Sequence, residues 1–489
     1  MAPFYVPTSL DERVLRPETL SPNIIKAEYG VRGEIYLEAQ KMVNAGKEVV
    51  FMNVGNPHAL GQKALTFPRQ VMALCQAPFL LDDPNVGKLF PRDAIARARQ
   101  LLKMTGIGGV GAYSDSRGVP GVRQEVARFI EHRDGFPSDP EHIYLTDGAS
   151  PAVKLALQLL IRGEHDGILV PIPQYPLYSA TVQMLGGSLV PYLLDEKKGW
   201  GMNIDLLKES VLSARRKGIM VRGLVVINPG NPTGQCLERG DLEDIIKFCI
   251  KERVALLADE VYQVNVYQSK HPFVSFKKVL CEMGAPYSRS LELFSFHTVS
   301  KGFTGECGQR GGYVEFTNIH PEVLEQCYKI VSVSLSPNVT GQLMVGMMCN
   351  PPQPGDPSYK QYAAESKEVL ESLGRKARAL SEGFNKFKNM QCNEVEGALY
   401  AFAKLQLPPG AIAAAKKAGK APDAFYCLEL LKATGMSATP GSGFGQEDGT
   451  FHFRTTILPE EDIVPGLLKK VERFNDEFMT KYSTMQSRM

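Results

Sequence analysis

The sequence has almost no net charge and no long hydrophobic run. Its 489 residues carry 55 basic and 53 acidic side chains, so no general electrostatic attraction draws it to nucleic acid or to a membrane surface. Apolar stretches such as 153–161 are broken by polar residues and are far shorter than the roughly 20 residues that cross a bilayer. We therefore expect no nucleic-acid partner and no membrane span.

Paired cysteines and histidines are also missing. Nine cysteines, an odd number, are scattered without a Cys-x-x-Cys pair, which favours free thiols in a reducing compartment. Eight histidines are dispersed without a His-x-x-x-His pair. We expect neither disulfides nor a bound metal.

The compartment that we expect is cytoplasmic or peroxisomal. Ser487-Arg488-Met489 differs only conservatively from the peroxisomal address Ser-Lys-Leu. A terminal segment without an address function is the alternative interpretation.

What is present is the composition of an ordinary globular protein, with 44% hydrophobic and 22% charged residues. The chain exceeds the roughly 250 to 300 residues of a single core, so we expect two domains. From residue 141 to residue 316, short runs rich in Val, Ile and Leu alternate with helical stretches, which predicts an α/β fold with a mostly parallel sheet flanked by helices. The seven predicted strands are 143–146, 167–170, 188–192, 223–228, 254–258, 291–296 and 312–316.

The stretch 351–357 contains too much proline to continue a helix, and it marks a domain boundary. We assign residues 91–357 to the large domain. Residues 358–489 form a smaller α+β domain, to which the N-terminal segment 1–90 contributes. A long helix over 359–385 opens this smaller domain, and 411–420 is expected to be an exposed helical insertion.

Residues 146–151 follow a predicted strand and precede an apolar helical pattern. This places Ser150 at the helix N-cap and Pro151 at the first helical position. The free N–H groups and the dipole of such a helix start bind phosphate, and Ser150 adds a hydroxyl. Taken alone, a well-capped helix without a ligand is the simpler interpretation.

Two further segments end predicted strands with polar residues. The turn 228–234 contains two prolines and two glycines that hold Asn231 in an irregular backbone. The strand 254–258 delivers Asp259 and Tyr262 at its carboxyl end, where ligands collect in α/β sheets. A carboxylate in that position needs a partner, and we expect a cation, with a purely structural salt bridge as the alternative interpretation.

A fourth segment contains a lysine in an unusual setting. Lys301 follows the strand 291–296, lies between a serine and a glycine, and precedes Arg310 by nine residues. Lysine is the residue that forms a Schiff base with pyridoxal phosphate, and Arg310, Thr298 and Ser300 are suited to grip a phosphate.

In this order the four segments resemble the fold-type I pyridoxal-phosphate-dependent aminotransferases, over nearly the whole chain. The stretches 28–34, 55–58, 440–446 and 451–456 resemble the alanine aminotransferase family in particular, which includes glutamate:glyoxylate relatives. The resemblance implies a large domain with a seven-stranded sheet, a small domain built from both ends of the chain, the cofactor pyridoxal 5′-phosphate and a homodimer.

The resemblance also implies residue roles. Lys301 is the implied cofactor lysine and proton carrier, Asp259 the partner of the ring nitrogen, and Tyr262 a donor to the phenolic oxygen. The other implied contacts are Asn231 with the phenolic oxygen and the substrate, Tyr175 with the ring, Ala149, Ser150, Thr298 and Arg310 with the phosphate, Tyr113 with the phosphate of the neighbouring subunit, and Arg454 and Gly55 with the substrate.

The implied reaction is ping-pong transfer of an amino group between L-alanine and 2-oxoglutarate. Glutamate or alanine with glyoxylate is the alternative substrate pair. A non-catalytic binding protein with the same fold and a β-eliminating enzyme are further alternatives. The match Gly106-x-Gly108-x-x-Gly111 to a dinucleotide fingerprint carries little weight, because a predicted helix precedes it and a loop follows.

Overall fold

The computed structural model describes residues 14–29 and 33–484. Its strands are β1 (Val50–Phe51), β2 (Ile143–Thr146), β3 (Asp166–Ile172), β4 (Ser188–Leu193), β5 (Met220–Ile227), β6 (Ala255–Asp259), β7 (Leu293–Thr298), β8 (Gly312–Thr317), β9 (Met390–Cys392), β10 (Tyr400–Leu405), β11 (Met436–Ser437), β12 (Thr439–Pro440) and β13 (His452–Thr456). Each of the seven predicted strands overlaps one of β2 to β8, so that prediction is confirmed.

Its α-helices are α1 (Pro22–Lys26), α2 (Glu34–Asn44), α3 (Thr66–Gln76), α4 (Val86–Leu89), α5 (Arg92–Thr105), α6 (Pro120–Asp134), α7 (Ala149–Leu160), α8 (Leu177–Met184), α9 (Ile204–Arg216), α10 (Arg239–Glu252), α11 (Phe276–Glu282), α12 (Tyr287–Ser290), α13 (Pro321–Val333), α14 (Val339–Cys349), α15 (Tyr359–Asn385), α16 (Pro409–Lys417), α17 (Pro422–Thr434) and α18 (Val464–Thr484). The long helix predicted over 359–385 is α15 with the same bounds.

Seven strands form one sheet, the large sheet, in the order β2-β8-β7-β6-β5-β3-β4. Strand β8 runs antiparallel to both of its neighbours, and the other neighbouring pairs are parallel. Alternate residues of β5 enter different hydrophobic clusters: Leu224 and Val226 pack with α9 and α10, whereas Val225 and Ile227 pack with α7. Both faces of the sheet are therefore covered by helices, which explains the nearly continuous apolar sequence of its strands.

Four strands form a second sheet, the small sheet, in the antiparallel order β12-β13-β10-β9. The helices α15, α17 and α18 pack on it and share one hydrophobic cluster that contains Phe384, Tyr426, Phe453 and Phe478. Strand β1 from the N-terminal part pairs with β11 from the C-terminal part. Both ends of the chain thus contribute to this part of the protein, while the predicted domain boundaries at 90/91 and 357/358 remain our assignment.

Two local predictions are wrong. Helix α7 begins at Ala149 and its N-cap is Gly148, with φ of 85°, so Ser150 is the second helical residue and not the cap. Glycine occupies the cap because a side chain there would be strained and would meet the guanidinium of Arg310. The expected insertion 411–420 is helix α16, but it is not wholly exposed, because Ala411 and Ala415 are buried against α18.

The sequence also predicted that disulfides, a membrane span and a dinucleotide-binding loop are absent. All nine cysteines are free thiols. Over residues 14–29 and 33–484, no helix combines the length and the hydrophobicity that a bilayer crossing requires. The helix α5 precedes Gly106 and a loop follows Gly111, so the context of a dinucleotide fingerprint is missing. Ser487-Arg488-Met489 and part of the stretch 28–34 lie outside the described residues.

Candidate active site

A cavity of about 540 Å³ opens at the carboxyl ends of the large-sheet strands, between the large sheet and the small sheet. Strands β5, β6 and β7 each end in residues that line it, as parallel strands do in sheets that bind ligands at this edge. Of the residues predicted from sequence, those that line the cavity are Gly55, Ala149, Ser150, Tyr175, Asn231, Asp259, Tyr262, Thr298, Lys301, Arg310 and Arg454.

Asp259 is the last residue of β6 and is buried. Burial raises the pKa of Asp259 from 3.8 to about 6, against the hydrogen bonds of Tyr178 and Val261 and the charge of Lys301, which lower it. The Tyr178 hydroxyl donates to Oδ2 of Asp259 across 2.7 Å. Within the described part of the chain no cation forms an ion pair with Asp259, so the expected cationic partner is not a protein side chain; a tyrosine supplies the hydrogen bond instead.

Lys301 follows strand β7 and points back toward the N-terminal part of the chain. Its Nζ donates to the backbone oxygen of Gly55 across 2.9 Å and lies 5.9 Å from the ring centroid of Tyr262. A Cβ atom at Gly55 would lie 2.1 Å from the hydroxyl oxygen of Tyr400, so only glycine lets the backbone come this close. The sequence predicted Lys301 and Gly55 separately, and the fold brings them together.

Tyr262 and Tyr400 form a buried pair with 3.3 Å between their hydroxyl oxygens. Burial raises the pKa of Tyr262 well above its ordinary value. Burial acts in the same direction on Tyr400, but the positive charges of Lys301 and Arg454 outweigh it and lower the pKa of Tyr400. The pKa values of the two phenols therefore shift in opposite directions, because both cations act on Tyr400 and because the hydrogen bond between the hydroxyls lowers the pKa of Tyr400 and raises that of Tyr262.

Arg454 on β13 is 2% exposed, and no carboxylate of the described residues forms an ion pair with it. Its Nη2 donates to the backbone oxygen of Asn53 across 2.6 Å, and its Nη1 donates to Oδ1 of Asn231 across 3.2 Å. The guanidinium also lies over the ring of Tyr400, 4.3 Å from the centroid, while its Nε has no hydrogen-bond partner in the part of the chain that the structure describes. A buried guanidinium held by neutral groups alone is suited to an anionic ligand.

A second cation lies where helix α7 begins. Arg310 donates to the backbone oxygens of Asp147 and Cys307, across 2.9 and 3.0 Å, and forms no ion pair within 14–29 and 33–484. The first backbone N–H groups of a helix have no partner in the helix, and its dipole favours an anion at that end. Ser150 in this first turn and Thr298 at the end of β7 add hydroxyls to the same wall of the cavity.

Two predicted tyrosines have different outcomes. Tyr175 lines the cavity, and its hydroxyl lies 3.0 Å from the hydroxyl of Tyr29 in the N-terminal segment. Tyr113 lies in a loop, is 78% exposed and does not line the cavity of its own chain. Its predicted contact with a neighbouring subunit stays a prediction.

Sequence reasoning missed several residues of the site, among them Tyr178, which binds Asp259, and Tyr400, Asn53 and Cys307, which line the cavity. Tyr178 had a usable signal, because it lies close to Tyr175 in sequence, just inside the start of α8. Tyr400 and Asn53 had none, since they come from β10 and from the loop after β1, far apart in sequence. Long-range strand pairing brings them to Arg454, since β10 pairs with β13 and the backbone oxygen of Met52 accepts from the N–H of Thr456 on β13.

Comparison with known proteins places the chain in a family. The profile of the family described as aminotransferase class I and II matches residues 70–466. The chain is similar to glutamate–glyoxylate aminotransferase 1 of Arabidopsis thaliana, with 62% identity over 96% of this chain and 98% of the relative. It is also similar to alanine aminotransferase 2 of Panicum miliaceum, with 51% identity over 95% of this chain and 98% of the relative.

Solved structures agree on the fold. An alanine aminotransferase from Pyrococcus furiosus matches with a TM-score of 0.76 over 94% of this chain and 100% of that chain, at 22% identity. The chain belongs to the class I and II aminotransferase family. It is an enzyme of the pyridoxal-phosphate-dependent transaminase class, with the fold-type I architecture that the sequence predicted.

The residues present fit pyridoxal 5′-phosphate. Asp259 is a buried carboxylate that forms no ion pair with any described residue, and this cofactor carries a ring nitrogen that binds a proton. Arg310 and the start of α7 form a wall suited to an anion, to which no described residue supplies a carboxylate, and the cofactor carries a phosphate. Lys301 places an amine on the same cavity, which fits a cofactor that reacts with a lysine.

Proposed function

We propose that the protein transfers the amino group of L-alanine to 2-oxoglutarate by a ping-pong mechanism in the cavity between the two sheets. The observation that carries the proposal is the convergence of Lys301, Asp259 and Arg454 on that one cavity. The amine, the buried carboxylate and the buried guanidinium are the three charged groups that a transaminase needs for its cofactor and its substrate.

When bound, pyridoxal phosphate accepts the amino group of one substrate and withdraws electrons from the carbon that carried it. Ala149, Ser150, Thr298 and Arg310 hold its phosphate in this proposal. The carboxylate of Asp259 keeps the ring nitrogen protonated, because an opposite charge in a buried site favours the cationic form.

The protein side chains perform the remaining steps. Arg454 binds the substrate α-carboxylate through two parallel hydrogen bonds, which fixes the orientation of the α-C–H bond. The Lys301 amine removes the proton from the substrate α-carbon and passes it to the cofactor. Tyr262 and Asn231 donate hydrogen bonds to the phenolic oxygen, and Tyr175 packs on the ring.

Gly55 lets the N-terminal segment approach the reacting atoms closely, because a side chain there would meet Tyr400. Its backbone oxygen, which accepts from Nζ of Lys301, holds the free amine toward the cavity. The small sheet covers the cavity from the other side and supplies Tyr400 and Arg454. Together these elements restrict water at the reacting carbon.

The test uses purified protein and Lys301→Ala, both supplied with pyridoxal phosphate, and follows the visible absorbance of the bound cofactor. We expect alanine to change the wild-type spectrum and 2-oxoglutarate to restore it, while Lys301→Ala shows neither the wild-type spectrum nor turnover. Identical spectra for the two proteins, or a wild type that binds no cofactor, would contradict the proposal and favour the non-catalytic alternative.

A second candidate pair is glutamate with glyoxylate. It is favoured by the identity of 62% to a relative named glutamate–glyoxylate aminotransferase, against 51% to the relative named alanine aminotransferase. Measured kcat/KM values for alanine and glutamate, each with 2-oxoglutarate, pyruvate or glyoxylate as acceptor, rank the two candidates. Release of ammonia in place of amino transfer would indicate the β-eliminating alternative.

We propose further that the active enzyme is a homodimer in which Tyr113 reaches the phosphate of the other subunit. The exposure of Tyr113 on its own chain leaves its hydroxyl available for such a contact. Sedimentation gives the oligomeric state, and a Tyr113→Phe variant with weaker cofactor binding supports the contact. A cytoplasmic or peroxisomal compartment also remains our proposal.

A further inference from the structure

A carboxylate beside the large sheet is held by two side chains of the small sheet. Glu196 opens a short 3₁₀ helix, Glu196–Lys198, just after the edge strand β4. Its Oε2 accepts from Nζ of Lys404 across 2.6 Å, and its Oε1 lies 3.0 Å from Nε2 of His452. Its backbone oxygen accepts from Nδ2 of Asn393 across 2.9 Å. Glu196 therefore connects the edge of the large sheet to the small sheet through hydrogen bonds and an ion pair.

The two side chains that hold Glu196 are neighbours of the substrate-binding arginine. In the register of β10 and β13, Lys404 faces His452, and Phe402 faces Arg454. Because strand residues two apart lie on the same face, these four side chains share one face of the small sheet. Glu196 thus binds the cross-strand pair adjacent to the pair that contains Arg454.

Aromatic contacts connect the two pairs. The ring of His452 stacks on the ring of Phe402, with 4.8 Å between centroids and 2° between planes. Phe402 packs edge-on against Phe444 at 6.1 Å, and the guanidinium of Arg454 lies 4.6 Å from the centroid of the Phe444 ring. A displaced His452 ring therefore displaces the surface on which Arg454 rests, since these buried rings are closely packed.

The orientation of His452 is set at both of its ring nitrogens. Its Nδ1 lies 3.0 Å from Oε1 of Gln446, whose Nε2 donates to Oδ2 of Asp423 across 2.9 Å. At Glu196, partial burial acts to raise the pKa, but the hydrogen bonds and charges of His452 and Lys404 outweigh it and the pKa is lowered. Glu196 is thus an ionised and well-bound partner for the ring.

We infer that Glu196 is a positioning residue for substrate binding, which sets the place of Arg454 through His452, Phe402 and Phe444. This inference rests on the proposed role of Arg454 as the group that binds the substrate α-carboxylate. Glu196 does not line the active-site cavity, so it acts through the small sheet and not by contact with substrate or cofactor.

The test compares Glu196→Gln with wild-type holoenzyme. The variant keeps the side-chain length and an acceptor oxygen but loses the charge that holds His452 and Lys404. We expect KM for amino donor and oxo-acid acceptor to rise about 2- to 30-fold, the range for changes in a connected network, with kcat less affected. The Kd of glutarate, a dicarboxylate without the reacting group, should rise by the same factor, while the affinity for pyridoxal phosphate stays at the wild-type value.

A matched control is available in Glu396→Gln. Glu396 also bridges the two parts of the protein, since its Oε1 lies 2.8 Å from Nδ1 of His271 and its Oε2 accepts from the backbone of Cys236 across 2.9 Å. The exposed fractions of the two carboxylate side chains are similar, 18% and 22%. Glu396 is not bound to β13, so its variant should bind glutarate as the wild type does.

The outcomes separate this inference from the proposed function. Arg454→Lys should weaken glutarate binding, and Glu196→Gln added to it should weaken binding no further, because both act at one point. If Arg454→Lys binds glutarate as the wild type does, the proposed role of Arg454 fails. If that role holds but Glu196→Gln matches the wild type, or matches Glu396→Gln, the positioning inference is wrong. Should Glu196→Gln fail to fold, Lys404→Gln replaces it, with the same expectation.

Discussion

The Tyr178 hydroxyl lies 2.7 Å from Oδ2 of Asp259, and both side chains are buried at the end of β6. The contact matters because a buried carboxylate needs donors that favour its ionised form. Tyr178 belongs to α8, which begins shortly after Tyr175, so one short segment brings Tyr175 to the cavity and Tyr178 to the carboxylate that lines it.

Tyr178→Phe should weaken cofactor binding without loss of the fold. The ring keeps its packing, but Asp259 loses a hydrogen bond of the kind that contributes about 1.5 to 3 kcal/mol when one partner is charged. We expect the Kd of pyridoxal phosphate to rise about 10- to 100-fold, measured by absorbance titration of the apoprotein. The control is Tyr192→Phe, which removes a buried hydroxyl that donates to the backbone oxygen of Val225 across 2.7 Å; it should bind the cofactor normally. Equal affinities for all three proteins would contradict the role of Tyr178.

The free energy of unfolding of the apoprotein should depend on the ionisation of Asp259. Its pKa in the folded state, about 6, lies above its ordinary value of 3.8, so the folded state binds the proton more tightly than the unfolded state does. The resulting stabilisation is complete below about pH 4 and is lost as pH rises through 6. The difference between the two pKa values corresponds to about 3 kcal/mol.

Urea unfolding of wild-type apoprotein and of Asp259→Asn, from pH 4 to pH 8, measures this dependence. The wild type should lose about 3 kcal/mol relative to the variant over that window. Bound pyridoxal phosphate should reduce the loss, because a cation near the carboxylate lowers its pKa. Parallel pH profiles for the two apoproteins would show that Asp259 is not the titrating group.

Gly55→Ala should damage the site through a steric conflict. The added methyl group would lie 2.1 Å from the hydroxyl oxygen of Tyr400, so the segment or the tyrosine must move. Overpacking of this kind costs about 1 to 3 kcal/mol of stability. The value of kcat/KM should fall about 10-fold or more, because Nζ of Lys301 donates a hydrogen bond to the backbone oxygen of Gly55. Gly87→Ala is the control, because a methyl group there meets nothing within 4 Å. A fully active Gly55→Ala enzyme would refute the close approach.

Arg454→Lys should weaken substrate binding much more than cofactor binding. Lysine keeps the charge but cannot form two parallel hydrogen bonds with a carboxylate. Loss of one charged hydrogen bond costs about 1.5 to 3 kcal/mol, so kcat/KM should fall about 10- to 100-fold for every amino acid tested. Steady-state kinetics with alanine and glutamate measure this, and a decrease confined to one amino acid would show that Arg454 contacts the side chain of that substrate instead.

The large sheet was predictable because its strands are short and apolar on both faces. Val225 and Ile227 face one layer of helices and Leu224 and Val226 the other, so the sequence there is nearly continuous in hydrophobic residues. The start of α7 was misjudged at Ser150 because serine is a common N-cap. The fold places Gly148 there with φ of 85°, since the guanidinium of Arg310 leaves no space for a side chain.

The small sheet and its contribution to the site were harder to predict. Its strands β10 and β13 are separated by about fifty residues and pair in an antiparallel register that no local pattern specifies. Tyr400 and Asn53 therefore gave no signal, although both contact Arg454. Arg454 itself was identified only because its surroundings in sequence resemble a known family.

The sequence by itself determined which chemical groups gather at the site. Lys301, Asp259, Asn231 and Arg310 lie at strand ends and in turns, and the local composition there predicts their place at one edge of a mostly parallel sheet. The tertiary structure decided which groups meet across that edge. Tyr178 reaches Asp259, and Glu196 reaches the strand that carries Arg454, only after helices and sheets distant in sequence pack together. Such contacts depend on the shape and register of packed surfaces, and these are properties of the folded chain and not of any local segment.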